Sequence, residues 1–426
     1  MIRILPYSET APEEVFSRVV PEIDVTGIVR DIIATVIKEG DKALLEYTSR
    51  FDGAQLSSLE VTAEEMDAAM TQVSATLLQI LQDAAANIRK FHQAQVRTGF
   101  ILNDTDGVVV GQKVIPMDAV GIYVPGGTAA YPSTVLMDCL PAKIAGCGQV
   151  VMVTPPGKDG KINPAILAAA KIAGVDRIFK VGGAQAVAAL AYGTESVPRV
   201  DKIVGPGNAF VAEAKRQVFG QVAIDMIAGP SEILVAADGT ADAKYVAADL
   251  LSQAEHDKLA SAVLVTDSME LALKVQQQIE EQLQTLPRQE IARTSIEKNG
   301  KIIVADTLDA AIEISNAIAP EHLELCVDNP FDYLDKIRHA GSIFMGKYCP
   351  ESLGDYFAGP NHTLPTSGTA RFSSPLSVDD FVKKSQYTYY TATALKKVAK
   401  DIAFFAETEG LSAHARSALV RLEEEK

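Results

Sequence analysis

From Val120 onward, short apolar runs alternate with segments of helical pattern, and each apolar run ends in a turn rich in glycine or proline. Repeated strand–helix units of this length predict parallel strands joined by right-handed crossovers. In such sheets ligands bind at the carboxyl ends of the strands, where these turns lie. The predicted strands and the turns that follow them are Val120–Val124 before Pro125-Gly126-Gly127, Val150–Thr154 before Pro155-Pro156-Gly157, Ile178–Val181 before Gly182-Gly183-Ala184-Gln185, and Lys202–Val204 before Gly205-Pro206-Gly207-Asn208.

A second α/β region begins at Ala228-Gly229-Pro230-Ser231 and continues the alternation of strand and helix. One of its helices begins near Asp242, and another covers Thr307–Ile318. Its predicted strands are Ile233–Ala236, Ala262–Thr266, Lys301–Ala305, Leu323–Val327 and Ser342–Met345. The sequence therefore predicts two sheets, with one region inserted into the other or simply preceding it.

Both ends of the chain have a helical pattern. A helix is predicted from about Thr26 to Arg50, and Thr62 with Glu65 forms a capping box ahead of a helical pattern that runs through Phe91. The tail from Ser377 is also predicted to be helical. The fold class that follows is α/β with helical additions at the two ends.

The composition argues against several classes of partner. Acidic residues outnumber basic ones by 55 to 39, and the formal net charge of -16 argues against binding of nucleic acid or of an anionic membrane. The first residues lack the apolar core of a signal peptide and no later run is apolar enough to span a bilayer, so we predict a cytoplasmic protein with a small-molecule partner. The four cysteines show no CxxC spacing, which favours reduced structural thiols and leaves a nucleophilic role open.

The segment Ala319-Pro320-Glu321-His322 sets a carboxylate beside an imidazole, directly after a proline and ahead of a predicted strand. An imidazole titrates near neutral pH and can take a proton from a hydroxyl group, and a neighbouring carboxylate can activate a water molecule. Two chemical steps could share this site. For an isolated dipeptide, a solvated turn after the proline is the commoner outcome.

Candidate metal donors are dispersed along the chain. Gln253 and His256 are three residues apart and would share one face of a helix. Asp355 and His362 lie in a loop rich in glycine and proline, and His414 lies near the C-terminus. Such a set indicates function only when other motifs support it. No G-x-G-x-x-G fingerprint follows a first strand, so the glycine turns alone are equally consistent with ordinary loops.

Taken together, these blocks resemble the histidinol dehydrogenase family, and the resemblance extends over most of the chain in the expected order. The segments that carry it are VGIYVPGG, YPSTVLM, VGGAQAVAALAYGTESVP, DKIVGPGNAFVAEAKRQV, IDMIAGPSEILV, LLSQAEH, APEHLEL, GDY before AGPNHTLPTSG, and EGL before His414.

The resemblance implies two incomplete Rossmann-like domains, small terminal segments, and a homodimer whose tails cross between subunits. The implied segments are an N-terminal arm of residues 1–22, a discontinuous substrate and metal domain of residues 23–118 and 231–372, an NAD-binding domain of residues 119–230, and a helical C-terminal tail of residues 373–426.

The resemblance also implies NAD-dependent oxidation of L-histidinol to L-histidine through the aldehyde, the final steps of histidine biosynthesis. Two NAD are reduced per turnover, and one zinc ion per subunit positions the substrate. Matched residue by residue, the catalytic pair is Glu321 and His322, and the NAD contacts are Tyr123, Gln185 and Asn208. The implied zinc ligands are Gln253, His256, Asp355 and His414. The residues implied around the substrate are Ser231, Gln253, His256, His322, Asp355, Glu409 and His414.

Three other interpretations stay open. A related zinc- and NAD-dependent dehydrogenase could act on another small alcohol, such as a sulfonated diol, although Glu409 and His414 suit a cationic amine and an imidazole. A zinc hydrolase with a Glu-activated water is more distant, because the two glycine-ended strand regions count against it. A metal-stabilised binding scaffold would bind its ligand without turnover.

Overall fold

A computed structural model of the chain describes residues 1–18, 24–126 and 130–423. The predicted boundary between residues 22 and 23, and Gly127 of the first predicted turn, lie outside these residues. The strands are β1 Arg3–Pro6, β2 Phe100–Leu102, β3 Val108–Pro116, β4 Ala119–Tyr123, β5 Gln149–Thr154, β6 Arg177–Lys180, β7 Lys202–Val204, β8 Ala223–Ile224, β9 Glu232–Ala237, β10 Ser261–Thr266, β11 Lys301–Val304, β12 His322–Cys326, β13 Ser342–Met345 and β14 Val382–Tyr390. The helices are α1 Pro12–Val15, α2 Thr26–Glu39, α3 Asp41–Tyr47, α4 Ala63–Gln72, α5 Ala75–Gln93, α6 Pro132–Ala145, α7 Pro164–Ala173, α8 Gly183–Tyr192, α9 Ala209–Val218, α10 Ala243–Ala254, α11 Met269–Leu283, α12 Gln289–Lys298, α13 Leu308–Ile318, α14 Phe331–Leu334, α15 Glu351–Leu353, α16 Ala392–Thr408 and α17 Ser412–Leu419.

The chain forms two compact units. The larger comprises Met1–Gln95 and Met117–Phe381, and the smaller comprises Val96–Pro116 and Val382–Lys426. The smaller unit holds an antiparallel sheet of order β14-β3-β2, and α17 packs on α16 through buried alanines. The larger unit holds two parallel sheets.

The first parallel sheet has six strands in the order β1-β11-β10-β9-β12-β13. Strands β9 and β12 lie side by side, with His322 opposite Ile233 in register. Helices α10, α11 and α12 bury their apolar faces on one side of this sheet, and α13 covers the other. The continuous apolar runs of its central strands follow from this double coverage.

The second parallel sheet has five strands in the order β6-β5-β4-β7-β8. Helices α4 to α7 pack on one face and helices α2, α3, α8 and α9 on the other. The turn after β7 needs glycine, because Gly205 has a φ of +112° and a side chain there would collide with the carbonyl oxygen of Tyr123.

The family resemblance implies a domain that joins residues 23–118 to residues 231–372, and that division stays a prediction. Helices α2 to α5 cover the five-stranded sheet, which is formed by residues 119–224. The spacing of apolar residues shows which face of a helix is buried but not which sheet covers it, so the sequence pattern could not make this assignment.

The predicted fold class is confirmed, and most element predictions hold with small shifts. The capping box of Thr62 and Glu65 is present. The predicted helix Thr26–Arg50 breaks at Gly40, which has a φ of +55°. The tail is not helical from Ser377, because strand β14 precedes helix α16. Among the described residues, no helix is both long and apolar enough to cross a membrane.

Candidate functional site

The predicted catalytic pair lies at the amino end of β12, which pairs with β9 on one side and with the edge strand β13 on the other. Helix α13 ends at Ile318, and Ala319 adopts the left-handed region with a φ of +51° before Pro320 turns the chain into the strand. A left-handed alanine costs roughly 1–2 kcal/mol, and such conformations cluster at functional sites. This strained turn buries both Glu321 and His322, so neither is the solvated residue of an ordinary turn.

One nitrogen of the His322 ring is hydrogen-bonded to the backbone. Its Nδ1 lies 3.0 Å from the carbonyl oxygen of Glu232. Because a carbonyl can only accept, Nδ1 must carry the proton, and in the neutral ring Nε2 is then the basic nitrogen. Nε2 is buried and has no hydrogen-bond partner among the described residues. It lies 3.7 Å from Asp355 Oδ1 and 3.8 Å from Glu351 Oε1.

The charges that act most strongly on His322 are those of carboxylates. Burial alone would lower the pKa of His322, but the carboxylates of Glu351, Glu321 and Asp355 outweigh it and raise that pKa well above its ordinary value. A cation bound among the same carboxylates would oppose this shift, because it would offset the charges that cause it. The ring is therefore suited to act as a base when such a cation is bound.

Glu321 is held by the same neighbouring strand. Its Oε2 accepts a hydrogen bond of 2.8 Å from the backbone N–H of Glu232 and lies 3.6 Å from His322 Nδ1. Burial raises the pKa of Glu321 to about 8, and His322 opposes that shift. A carboxylate of raised pKa is a stronger base than an exposed one, which suits the activation of water.

The structure adds Glu351, a residue that sequence reasoning missed. Atoms of Glu351, Asp355 and His322 that could bind a metal all lie within 4.8 Å of one another. Glu351 Oε2 accepts a 3.2 Å hydrogen bond from Ser252 Oγ, and the Glu351 backbone N–H donates to Glu324 Oε1 at 2.6 Å. The only signal in the sequence is its position four residues before Asp355.

Gln253 fits a metal ligand better than a core residue. It lies in the last turn of α10, is 1% exposed, and its Oε1 has no hydrogen-bond partner among the described residues. A buried carbonyl oxygen without a partner costs about 1–3 kcal/mol, so such oxygens are uncommon unless a bound group satisfies them. A cation at this point would do so.

His256 follows two residues after the end of α10 and is an exposed residue. Burial lowers the pKa of His256, and the charge of Asp355 opposes that shift. Gln253, His256 and Asp355 thus supply a neutral oxygen, an imidazole and a carboxylate. This mixture of nitrogen and oxygen donors is one that zinc accepts.

The loop that carries Asp355 is fastened to helix α6. His362 Nδ1 lies 3.1 Å from the carbonyl oxygen of Asp355, and its Nε2 lies 3.3 Å from Thr134 Oγ1. Two neighbours of His362 also bind α6: Asn361 Nδ2 donates to the carbonyl of Met137 at 2.6 Å, and Thr363 Oγ1 donates to Asp138 Oδ1 at 2.8 Å. These contacts hold the Asp355 backbone in place.

The three residues predicted to contact NAD line one cavity of 1450 Å³. Tyr123 ends β4, Gln185 lies in the first turn of α8, and Asn208 caps α9 by accepting from the N–H groups of Phe210 and Val211. Their common location is the carboxyl edge of the five-stranded sheet, where doubly wound sheets bind nucleotides. The Tyr123 hydroxyl accepts from the Gly183 N–H at 3.0 Å. The cavity therefore suits a dinucleotide by its volume and by its position in the fold.

The remaining predicted residues lie elsewhere. Ser231 directly precedes β9, beside the Glu232 backbone that holds His322. Glu409 follows α16 and His414 lies on α17, both in the smaller unit, and both are exposed in the chain.

Comparisons with known proteins agree with this picture. A model of the histidinol dehydrogenase family matches residues 18–422. The histidinol dehydrogenase of Clostridium acetobutylicum is 57% identical over 398 residues, which are 93% of this chain and 92% of that protein. The enzyme of the same name from Syntrophotalea carbinolica is 58% identical over 406 residues, 95% of this chain and 94% of that one.

This chain belongs to the histidinol dehydrogenase family. The crystal structure of the histidinol dehydrogenase from Elizabethkingia anophelis is 43% identical and has a TM-score of 0.94, covering 99% of this chain and 98% of that chain. Members of this family are oxidoreductases, and the family resemblance found in the sequence is confirmed.

Proposed function

We propose that this protein oxidises L-histidinol to L-histidine through L-histidinaldehyde, with two NAD reduced per turnover, in the final steps of histidine biosynthesis. The observation that carries the proposal is the buried, partnerless Nε2 of His322 within 4 Å of two carboxylates, in a chain that belongs to the histidinol dehydrogenase family. A cytoplasmic location remains a prediction.

His322 is the base of the first oxidation. Its Nδ1–H donates to the Glu232 carbonyl, so Nε2 is free to accept the proton of the substrate hydroxyl. Tyr123, Gln185 and Asn208 would hold NAD in the cavity that they line, and NAD would supply the hydride acceptor there. The same nitrogen can release that proton and act as the base again in the second oxidation. The hydrogen bond from Nδ1 to the Glu232 carbonyl can hold the ring in place whether or not Nε2 is protonated.

Glu321 serves the second oxidation. An aldehyde must be hydrated before it can lose hydride, and Glu321 is the carboxylate that can take a proton from the attacking water. It is buried and anchored to the same residue as His322.

Gln253, His256 and Asp355, with His414 of the partner subunit, would hold zinc, which supplies a positive charge that binds and orients the amine and imidazole nitrogens of the substrate. The proposed substrate site also takes a hydroxyl from Ser231, beside the catalytic strand, and a carboxylate for a cationic group from Glu409 in the tail of the other chain.

Stoichiometry tests the reaction. Conversion of an alcohol to a carboxylate removes four electrons and each NAD accepts two, so we expect two NADH for each histidinol consumed, measured by absorbance and by quantification of histidine. One NADH per histidinol with free aldehyde accumulating would contradict the proposal. Turnover of a sulfonated diol with no turnover of histidinol would favour the related dehydrogenase.

We also propose a homodimer in which each site takes His414 from the other chain. Chains carrying Asp355→Ala and chains carrying His414→Ala should each be inactive alone. When they are refolded together, one site of each hybrid dimer should contain all four native ligands, which predicts roughly a quarter of native activity if the chains pair at random. If mass spectrometry shows that hybrids have formed and NADH formation does not return, the shared site is refuted.

A further inference from the structure

Glu232, the first residue of β9, contacts both members of the proposed catalytic pair through its backbone. Its N–H donates to Glu321 Oε2 at 2.8 Å, and its carbonyl accepts from His322 Nδ1 at 3.0 Å. Any displacement of this one residue would therefore move the base of each oxidation. The Glu232 side chain adds a further contact at this start of β9.

The Glu232 side chain pairs with an arginine that lies 214 residues earlier in the chain. Arg18 NH1 donates to Glu232 Oε1 at 2.7 Å, with the two side chains 29% and 14% exposed. The other carboxylate oxygen, Oε2, is buried and has no hydrogen-bond partner among the described residues. Burial raises the pKa of Glu232, and Arg18 opposes that shift. Arg18 is thus the largest of the contacts that oppose the effect of burial on the pKa of this carboxylate.

The chain segment that ends at Arg18 is itself hydrogen-bonded to the six-stranded sheet. Lys301, in β11, donates through Nζ to the carbonyl oxygens of Val15 at 2.8 Å and of Ser17 at 2.9 Å. Val15 is fully buried against the six-stranded sheet. The segment that ends at Arg18 is therefore attached to the same sheet as Glu232, and the guanidinium approaches the carboxylate from an anchored chain.

We infer that Arg18 and Glu232 form a positioning pair that fixes Glu321 and His322 in their catalytic places. This inference rests on the catalytic roles proposed above. Neither residue needs to touch the substrate, because both act through the Glu232 backbone. Without Arg18, the buried carboxylate would lose its ion pair and would turn toward water or take up a proton. Either change would shift the start of β9, and a misplacement of 1 Å at a reacting group can cost 10²-fold in rate.

The experiment compares Arg18→Ala with Arg3→Ala. Arg3 lies earlier in the N-terminal arm and forms an exposed ion pair with Glu14 at 3.0 Å, so its loss removes a similar charge without touching Glu232. We expect Arg18→Ala to lower kcat for both histidinol and histidinaldehyde by roughly 10-fold to 10²-fold. The KM for NAD and the zinc content per chain should be unchanged. Arg3→Ala should match the native enzyme in all these measurements.

A second substitution separates positioning from a general effect on folding. Glu232→Gln added to Arg18→Ala removes the unpaired charge while keeping the size of the side chain. We expect this double variant to recover much of the lost kcat. Additive losses in the double variant, or equal activities of Arg18→Ala and Arg3→Ala, would overturn the inference. If native enzyme does not turn over histidinol, or His322→Asn is fully active, the proposed function fails instead.

Discussion

Replacing His322 by asparagine is expected to lower kcat for both oxidations by roughly 10²–10⁴-fold, the usual loss when a positioned base is removed. Asparagine can still donate a hydrogen bond toward the Glu232 carbonyl, but it has no basic nitrogen to replace Nε2. The measurement is the steady-state rate of NADH formation, taken separately with histidinol and with histidinaldehyde. His339→Asn, at a histidine with no proposed role, is the matched control and should remain fully active.

Glu321→Gln should lower the rates of the two oxidations unequally, whereas His322→Asn should lower both. The amide cannot take a proton from water, so oxidation of the aldehyde should fall by roughly 10²-fold or more while the first hydride transfer changes less. Aldehyde should then accumulate during turnover of histidinol, and trapping with semicarbazide would detect it. Equal and small effects of the two substitutions would place the catalytic centre elsewhere.

The parallel sheets were largely predictable from the sequence. Strands buried on both faces are continuous apolar runs, and the predicted Val150–Thr154 differs from β5 by one residue. Strand β14 was missed because it lies between segments of helical pattern, although its sequence VKKSQYTYY is rich in aromatic and β-branched residues, which favour strands. The sheet that each helix covers depends on contacts between distant segments, which no local pattern contains.

In the candidate site, too, the local features were predictable from the sequence and the contacts between distant segments were not. Glu321 and His322 were found because they are adjacent in sequence, and Gln253 and His256 because they are three residues apart, although α10 ends at Ala254 and His256 lies beyond it. Their roles stay predictions. The residues that set the chemistry of His322 are not local: the Glu232 carbonyl that fixes its tautomer lies 90 positions away, and Arg18 lies further still. A single sequence gives no signal for these pairings, because they exist only once the strands are side by side.

Removal of the metal is expected to abolish turnover reversibly, and Gln253 provides the test of where the ion binds. Because its Oε1 is buried without a partner, replacing Gln253 by leucine removes an unsatisfied polar group from the metal-free protein. That substitution should stabilise the metal-free form by about 1 kcal/mol while it weakens zinc binding. In the native protein, adding zinc should raise the free energy of unfolding, since an ion that binds only the folded state stabilises it by mass action.

Thermal unfolding with and without zinc, together with zinc content per chain, separates these effects without relying on activity. Native protein treated with a chelator should have a lower Tm than the zinc-loaded form, and readdition of zinc should restore both Tm and NADH formation. Gln253→Leu should begin with a higher Tm and gain little from zinc. Gln284→Ala, at an exposed glutamine that follows α11, should behave like native protein. If Gln253→Leu instead binds zinc with native affinity, the partnerless oxygen is not a ligand, and the metal must be held by the remaining donors around Asp355.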